Sequence, residues 1–126
     1  MFGVSELEKR WVERNPSGAF KVYVVWVPML SAEEPNVPEA TRLATDPRVR
    51  HYWDGGNVLG SAYQSALGLS GPAWDVYMLF DGTATWHGST PPTPVYWEHQ
   101  LGSVTRAPFL DADRFAAKAE GLLGAR

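Results

Sequence analysis

Apolar positions along this chain switch between helical and strand spacing, and the switches mark its elements. Over residues 5–15, Leu7, Trp11 and Val12 fall on one helical face, and Ser5 with Glu8 makes a capping box. Pro16, Ser17 and Gly18 end that helix. Residues 20–27 are then β-branched, aromatic and nearly continuous in apolar character, the pattern of a strand covered on both faces. The stretch from Pro28 to Pro38 breaks the pattern with three prolines and two glutamates. Two helix starts compete there, Ser31 with Glu34 and Asn36 with Glu39. Pro35 disrupts a helix begun at Ser31, so the helix is placed over residues 37–44 and closed by Asp46-Pro47.

A second strand is expected over residues 49–53, followed by a turn at Asp54-Gly55-Gly56. Residues 58–67 form a second helix with Leu59, Ala62, Ala66 and Leu67 mostly on one side. A third strand, strongly apolar, covers residues 74–80. Asp81-Gly82-Thr83 is a hairpin signal, so residues 84–87 are expected to return as the fourth strand. A proline-rich loop follows at 88–94; the pattern assigns no state to 95–102. Asp111 caps a last helix whose apolar face is Phe115, Ala119, Leu122 and Leu123. No repeat, low-complexity segment or linker divides the chain, so residues 1–126 read as one domain. Strands joined through helices run parallel, and a hairpin adds an antiparallel pair. The expected fold is α/β: a mixed four-stranded sheet flanked by helices, with an N-terminal helix and a long loop before the last helix.

Three local features give this order a family resemblance. Trp26-Val27-Pro28-Met29-Leu30 closes the first strand, Gly71-Pro72 precedes the third, and the apolar run from Trp74 to Phe80 leads into Asp81-Gly82. Together they resemble the thioredoxin-like superfamily, with Trp-Val-Pro-Met-Leu in place of its Trp-Cys-x-x-Cys motif. The resemblance implies a thioredoxin-like fold over roughly residues 20–86 plus the last helix. It also implies a cis-proline at Pro72 and a peptide groove around Trp26, Val27, Pro28, Met29, Leu30, Gly71 and Pro72. It departs from the family at both cysteine positions, Val27 and Leu30, and in the long loop at 88–108.

Composition sharpens the negative. The chain has no cysteine, which excludes disulfides, thiolate nucleophiles and Cys-ligated zinc. Val and Leu supply neither thiolate nor leaving group, so no disulfide exchange is expected. A net charge of −3 argues against a nucleic-acid partner, and Arg42, Arg48 and Arg50 read as a solvated face. The longest apolar run, residues 22–30, is too short to span a bilayer. Glu6, Glu8, Lys9, Arg10, Glu13 and Arg14 leave no apolar leader in the sequence given, and the expected location is cytoplasmic. No cofactor is expected, and the state is monomer or homodimer.

Three constellations carry candidate chemistry. Glu33, Glu34 and Asp54 lie near the carboxyl ends of the first two strands, where open α/β sheets bind ligands. Glu33 and Glu34 read more readily as solvated loop charges beside a helix start. His51, His87 and His99 lack ligand spacing; His99, beside Glu98 and Gln100, is the strongest single candidate for a metal or acid–base role. The aromatic–proline segment from Trp86 to Trp97 supplies a second groove wall or a lid on the sheet edge. The leading expectation is a non-redox binding module for an apolar peptide, protein or small ligand. The alternative is a non-thiol enzyme or metal-binding protein using Glu33, Glu34, Asp54 and His99.

Overall fold

β-Branched and aromatic residues at 22–26 and 49–53 leave these segments little helical freedom, and both are extended. A computed structural model describes residues 6–15, 19–27, 46–102 and 104–124. Its elements are β1 (Val22–Trp26), β2 (Val49–Trp53), α1 (Val58–Leu67), β3 (Val76–Leu79), β4 (Tyr96–His99) and α2 (Ala112–Gly124). A π-wound helical segment, Glu8–Val12, precedes them. The protein is mixed α/β, and its strands form two sheets of two strands each among the described residues. The chain divides into two compact units, Met1–Gly56 with Ala112–Arg126, and Asn57–Asp111.

In the first unit β1 and β2 run parallel, Val22 opposite Val49 and Trp26 opposite Trp53. Strand alternation puts Val24, Trp26, His51 and Trp53 on one face and Tyr23, Arg50 and Tyr52 on the other. The second face is open: Tyr23 is 60% and Tyr52 49% exposed. The expectation of a strand covered on both faces therefore fails. Tyrosine suits a strand without requiring burial, since its hydroxyl is content in water.

Among the described residues of this unit, Trp11, Val12, Val49, Phe115, Ala116 and Ala119 are the buried apolar ones. Arg48 ties it together. Its guanidinium donates to the Val12 carbonyl at 2.7 Å, which also accepts the Asn15 amide at 3.3 Å, and to the Asn15 carbonyl, where the helical segment ends. The same group bonds both Asp46 carboxylate oxygens, at 3.0 and 2.8 Å, and lies over the Phe20 ring at 4.5 Å. The N-terminal helix thus ends at Val12 rather than Asn15, with Arg48 as its cap. The helix expected over residues 37–44 lies outside the described residues.

In the second unit α1 spans the expected 58–67 and stops where Gly68 takes φ +68. The amides of Gly68 and Leu69 reach back to Ser65 and Gln64, closing a Schellman turn. Tyr63, Leu67 and Ala73 form the core, with Leu59, Val76, Met78, Phe80 and Trp97 packed on it. The fourth strand is a correction. Asp81 does make a turn, its carboxylate accepting the Thr83 amide at 2.9 Å. Residues 84–86 nevertheless do not return beside β3, and residues 81–90 are all exposed. The antiparallel partner of β3 is Tyr96–His99, with Val76 opposite His99 and Leu79 opposite Tyr96. A local turn signal says that the chain bends, not that its next residues pair. Met78 and Trp97 meet on the apolar face under α1, a register residues 84–87 offer less well: Trp86 is their one large apolar side chain.

Candidate binding site

The motif position is half visible. Trp26 and Val27 are described; Pro28, Met29, Leu30, Glu33 and Glu34 lie outside the described residues. Trp26 Nε1–H donates to His51 Nδ1 at 3.1 Å, with the rings 6° from parallel and their centroids 6.1 Å apart. An N–H···N bond lies in the plane of both rings, so they sit edge to edge rather than face on face. Accepting at Nδ1 puts the neutral His51 proton on Nε2. The Asp54 amide donates to the Trp26 carbonyl at 2.8 Å, extending the parallel ladder past Trp53. Trp26 and Asp54 belong to the first unit; Gly71, Pro72, Trp86, Trp97 and His99 belong to the second.

Gly71 and Pro72 line a cleft of about 280 Å3. Leu69, Ser70, Trp74, Leu101, Gly102 and Val104 line it with them. Among the described residues none of the lining side chains is charged. Among the described residues no peptide bond is cis, so the bond to Pro72 is trans. Trp86 and Trp97 do not line this cleft. Trp86 meets Tyr63 edge-on, centroids 6.5 Å apart, and is 46% exposed. Trp97 packs into the α1 core. The Tyr63 hydroxyl donates to the Pro92 carbonyl at 3.1 Å, which holds the proline segment against α1.

The two most buried side chains of the described residues are polar and adjacent. Glu98 is 0% exposed and His99 2%. Both contact the backbone that follows β4. Glu98 Oε1 accepts the Asp111 amide at 2.7 Å, and Oε2 accepts the Tyr96 hydroxyl. His99 Nδ1 accepts the Leu101 amide at 3.0 Å, and Nε2 faces the Ala107 carbonyl at 2.9 Å. An amide can only donate and a carbonyl only accept, so His99 is neutral with its proton on Nε2. Each ring nitrogen already has a backbone partner, which leaves His99 no lone pair for a metal ion. The Phe109 ring stands edge-on to it at 5.8 Å. His87, the remaining histidine, sits in an exposed turn whose backbone pairs with Thr90. Among the described residues no three His, Asp or Glu side chains converge as metal ligands.

Sequence patterning found Gly71 and Pro72 but not their neighbours. Leu69 and Trp74 flank that dipeptide and were legible as apolar. Leu101 and Val104 gave no signal, because the stretch holding them has no periodicity. Glu98 and His99 invert the usual rule that charged residues stay outside. Among the described residues no helix is long and apolar enough to cross a membrane. Set against protein-family models, characterised proteins and solved structures, the chain matches none.

Proposed function

We propose that this is a non-redox domain of thioredoxin-like type that binds a peptide or protein partner without covalent capture. In this reading the protein works in the cytoplasm. The element order supports the thioredoxin-like type: a parallel pair, then a helix, then an antiparallel pair, then a helix. The observation that carries the binding role is the uncharged cleft lined by Gly71, Pro72 and Trp74 in a chain without a single thiol. Leu69, Pro72, Trp74, Leu101 and Val104 along it would favour the apolar parts of a ligand, each buried methylene contributing about 0.8 kcal/mol.

Two measurements test the proposal. The purified protein shows no turnover of insulin disulfides; measurable turnover refutes the non-redox reading. An array of extended apolar peptides retains the wild-type protein, and Trp74→Ala weakens retention by about tenfold, the cost of one large aromatic contact. Peptides held equally by wild type and Trp74→Ala would place binding elsewhere. The acid–base and metal alternative finds no support at His99, whose nitrogens are both engaged by backbone.

A further inference from the structure

Strand alternation gives the β1–β2 sheet two faces of different chemistry. On one, Trp26 and His51 bond to each other. The other carries Tyr23 and Val25 from β1 and Arg50 and Tyr52 from β2, Tyr23 in register with Arg50 and Val25 with Tyr52. The two tyrosine rings stand 6.2 Å apart and 31° from parallel, an aromatic pair left largely open to water. Arg50 is exposed beside them, and Lys21 is exposed one residue before β1. Among the described residues neither cation pairs with a carboxylate, whereas Arg10 and Arg48 are each held by an acidic partner. Asp54, next in the alternation after Tyr52, lies past the end of β2 and is engaged within the chain. A single exposed aromatic is ordinary. Two paired rings beside an arginine with no counterion have the composition of an interface hot spot, where tyrosine and arginine are enriched.

We infer that this face docks an extended acidic segment of a protein partner, one that presents a carboxylate and an aromatic ring on the same side. The charge on the face selects the acid: Arg50 offers a fork that a carboxylate meets with two hydrogen bonds, and Lys21 adds a second positive charge. The tyrosine pair is the platform for the ring. Residues i and i+2 of an extended peptide share a side and lie roughly 7 Å apart. Arg50 and Tyr52 are themselves two apart on one strand, so the spacings agree. A nucleic acid fits less well, because phosphate binding needs many cations and this face has two in a chain of net charge −3. A second copy docking through the same face would bring Arg50 and Lys21 against their own counterparts, like charge on like. This surface belongs to the first unit and the cleft to the second, so the inference stands apart from the proposed binding role of the cleft.

The test is fluorescence anisotropy of the full chain with a labelled peptide, Ser-Glu-Ser-Phe-Ser-Glu-Ser-Phe, which alternates acid and ring along one side. This peptide binds. Its analogues with glutamine for glutamate, or with serine for phenylalanine, each bind at least about tenfold more weakly. Arg50→Glu weakens the acidic peptide by a similar factor and gains affinity for an analogue with lysine for glutamate. Tyr23→Ser combined with Tyr52→Ser removes the preference for phenylalanine over serine, with circular dichroism unchanged. Equal binding of the glutamate and glutamine peptides, or an Arg50→Glu protein that binds the acidic peptide as wild type does, overturns the inference. Tighter binding of an oligouridylate than of the peptide overturns it in favour of a nucleic acid. A dimer in sedimentation that Tyr23→Ser dissociates overturns it in favour of a second copy. The two readings fail separately. Arg50→Glu leaves the Trp74-dependent retention of apolar peptides intact; loss of both together would put one site where two are assigned and refute the docking face.

Discussion

Arg48 shows how much one side chain can organise. It closes the N-terminal helical segment by meeting the Val12 and Asn15 carbonyls, and it covers Phe20. Asp46 holds it in place, and the guanidinium in turn draws the Asp46 carboxyl down from its ordinary 3.8 to about 2. The sign of the linkage follows. The folded carboxyl has the lower pKa, so the unfolded chain binds the proton more readily, and this stabilisation is complete above the ordinary value and lost as pH falls toward 2. Between pH 4 and pH 2, wild type should therefore lose stability more steeply than Asp46→Asn, as measured by urea midpoints. Parallel curves for the two proteins would show that the pair contributes nothing to folding. Arg48→Ala should cost roughly 1–2 kcal/mol at neutral pH, because the Asn15 carbonyl loses its guanidinium donor and the Val12 carbonyl keeps only the Asn15 amide. None of this is legible in the sequence. Arg48 reads there as one of three solvated arginines, since sequence shows a charge but not the carbonyls within its reach.

Elements were legible where local and tertiary preferences agree. Residues 58–67 are helical because their apolar positions repeat at helical spacing and Gly68 can adopt φ +68 at the end. β1 formed where valines crowd and β2 where Val49 leads into His51, Tyr52 and Trp53, and their parallel sense followed from needing a crossover. The fourth strand was misplaced because pairing is a long-range choice. Asp81-Gly82-Thr83 turns the chain, but Tyr96–His99 offers Trp97 to the α1 core and wins the place beside β3. The candidate site divides the same way: Gly71-Pro72 stood out as a dipeptide, while Leu101 and Val104 joined it only through folding. Two glycines probe this local control of element ends and interiors in opposite directions. Gly68→Ala places a Cβ at positive φ and against the Arg106 guanidinium, so it should destabilise by about 1 kcal/mol, chiefly through the backbone. Gly121 lies inside α2 with nothing within 4 Å of a new Cβ. Gly121→Ala should stabilise by about 0.5–1 kcal/mol through helix propensity and a less free unfolded chain. Thermal midpoints moving the same way for both would refute the conformational account.

At the scale of the whole molecule, the two units are built from the chain differently. Residues 57–111 are contiguous, and their core of Tyr63, Leu67 and Ala73 is assembled from neighbours in sequence. The first unit is not contiguous: it draws α2 from the far end of the chain. Phe115, Ala116 and Ala119 give α2 its buried face, and Asp113 reaches Arg10 of the N-terminal segment at 3.0 Å. Closing so long a loop costs entropy that local contacts do not repay, so this unit depends on α2 more than its length suggests. The exposed Arg10–Asp113 pair contributes little; Phe115 stabilises far more, with truncation to alanine costing about 3–5 kcal/mol. Phe115→Ala should therefore raise amide exchange in β1 and β2 first. The β3–β4 amides, including those of Val95 and Gln100, should keep their protection until denaturant unfolds the second unit. Simultaneous loss of protection in both sheets would show that the chain unfolds as one cooperative body, and that the boundary at residues 56–57 has no energetic meaning.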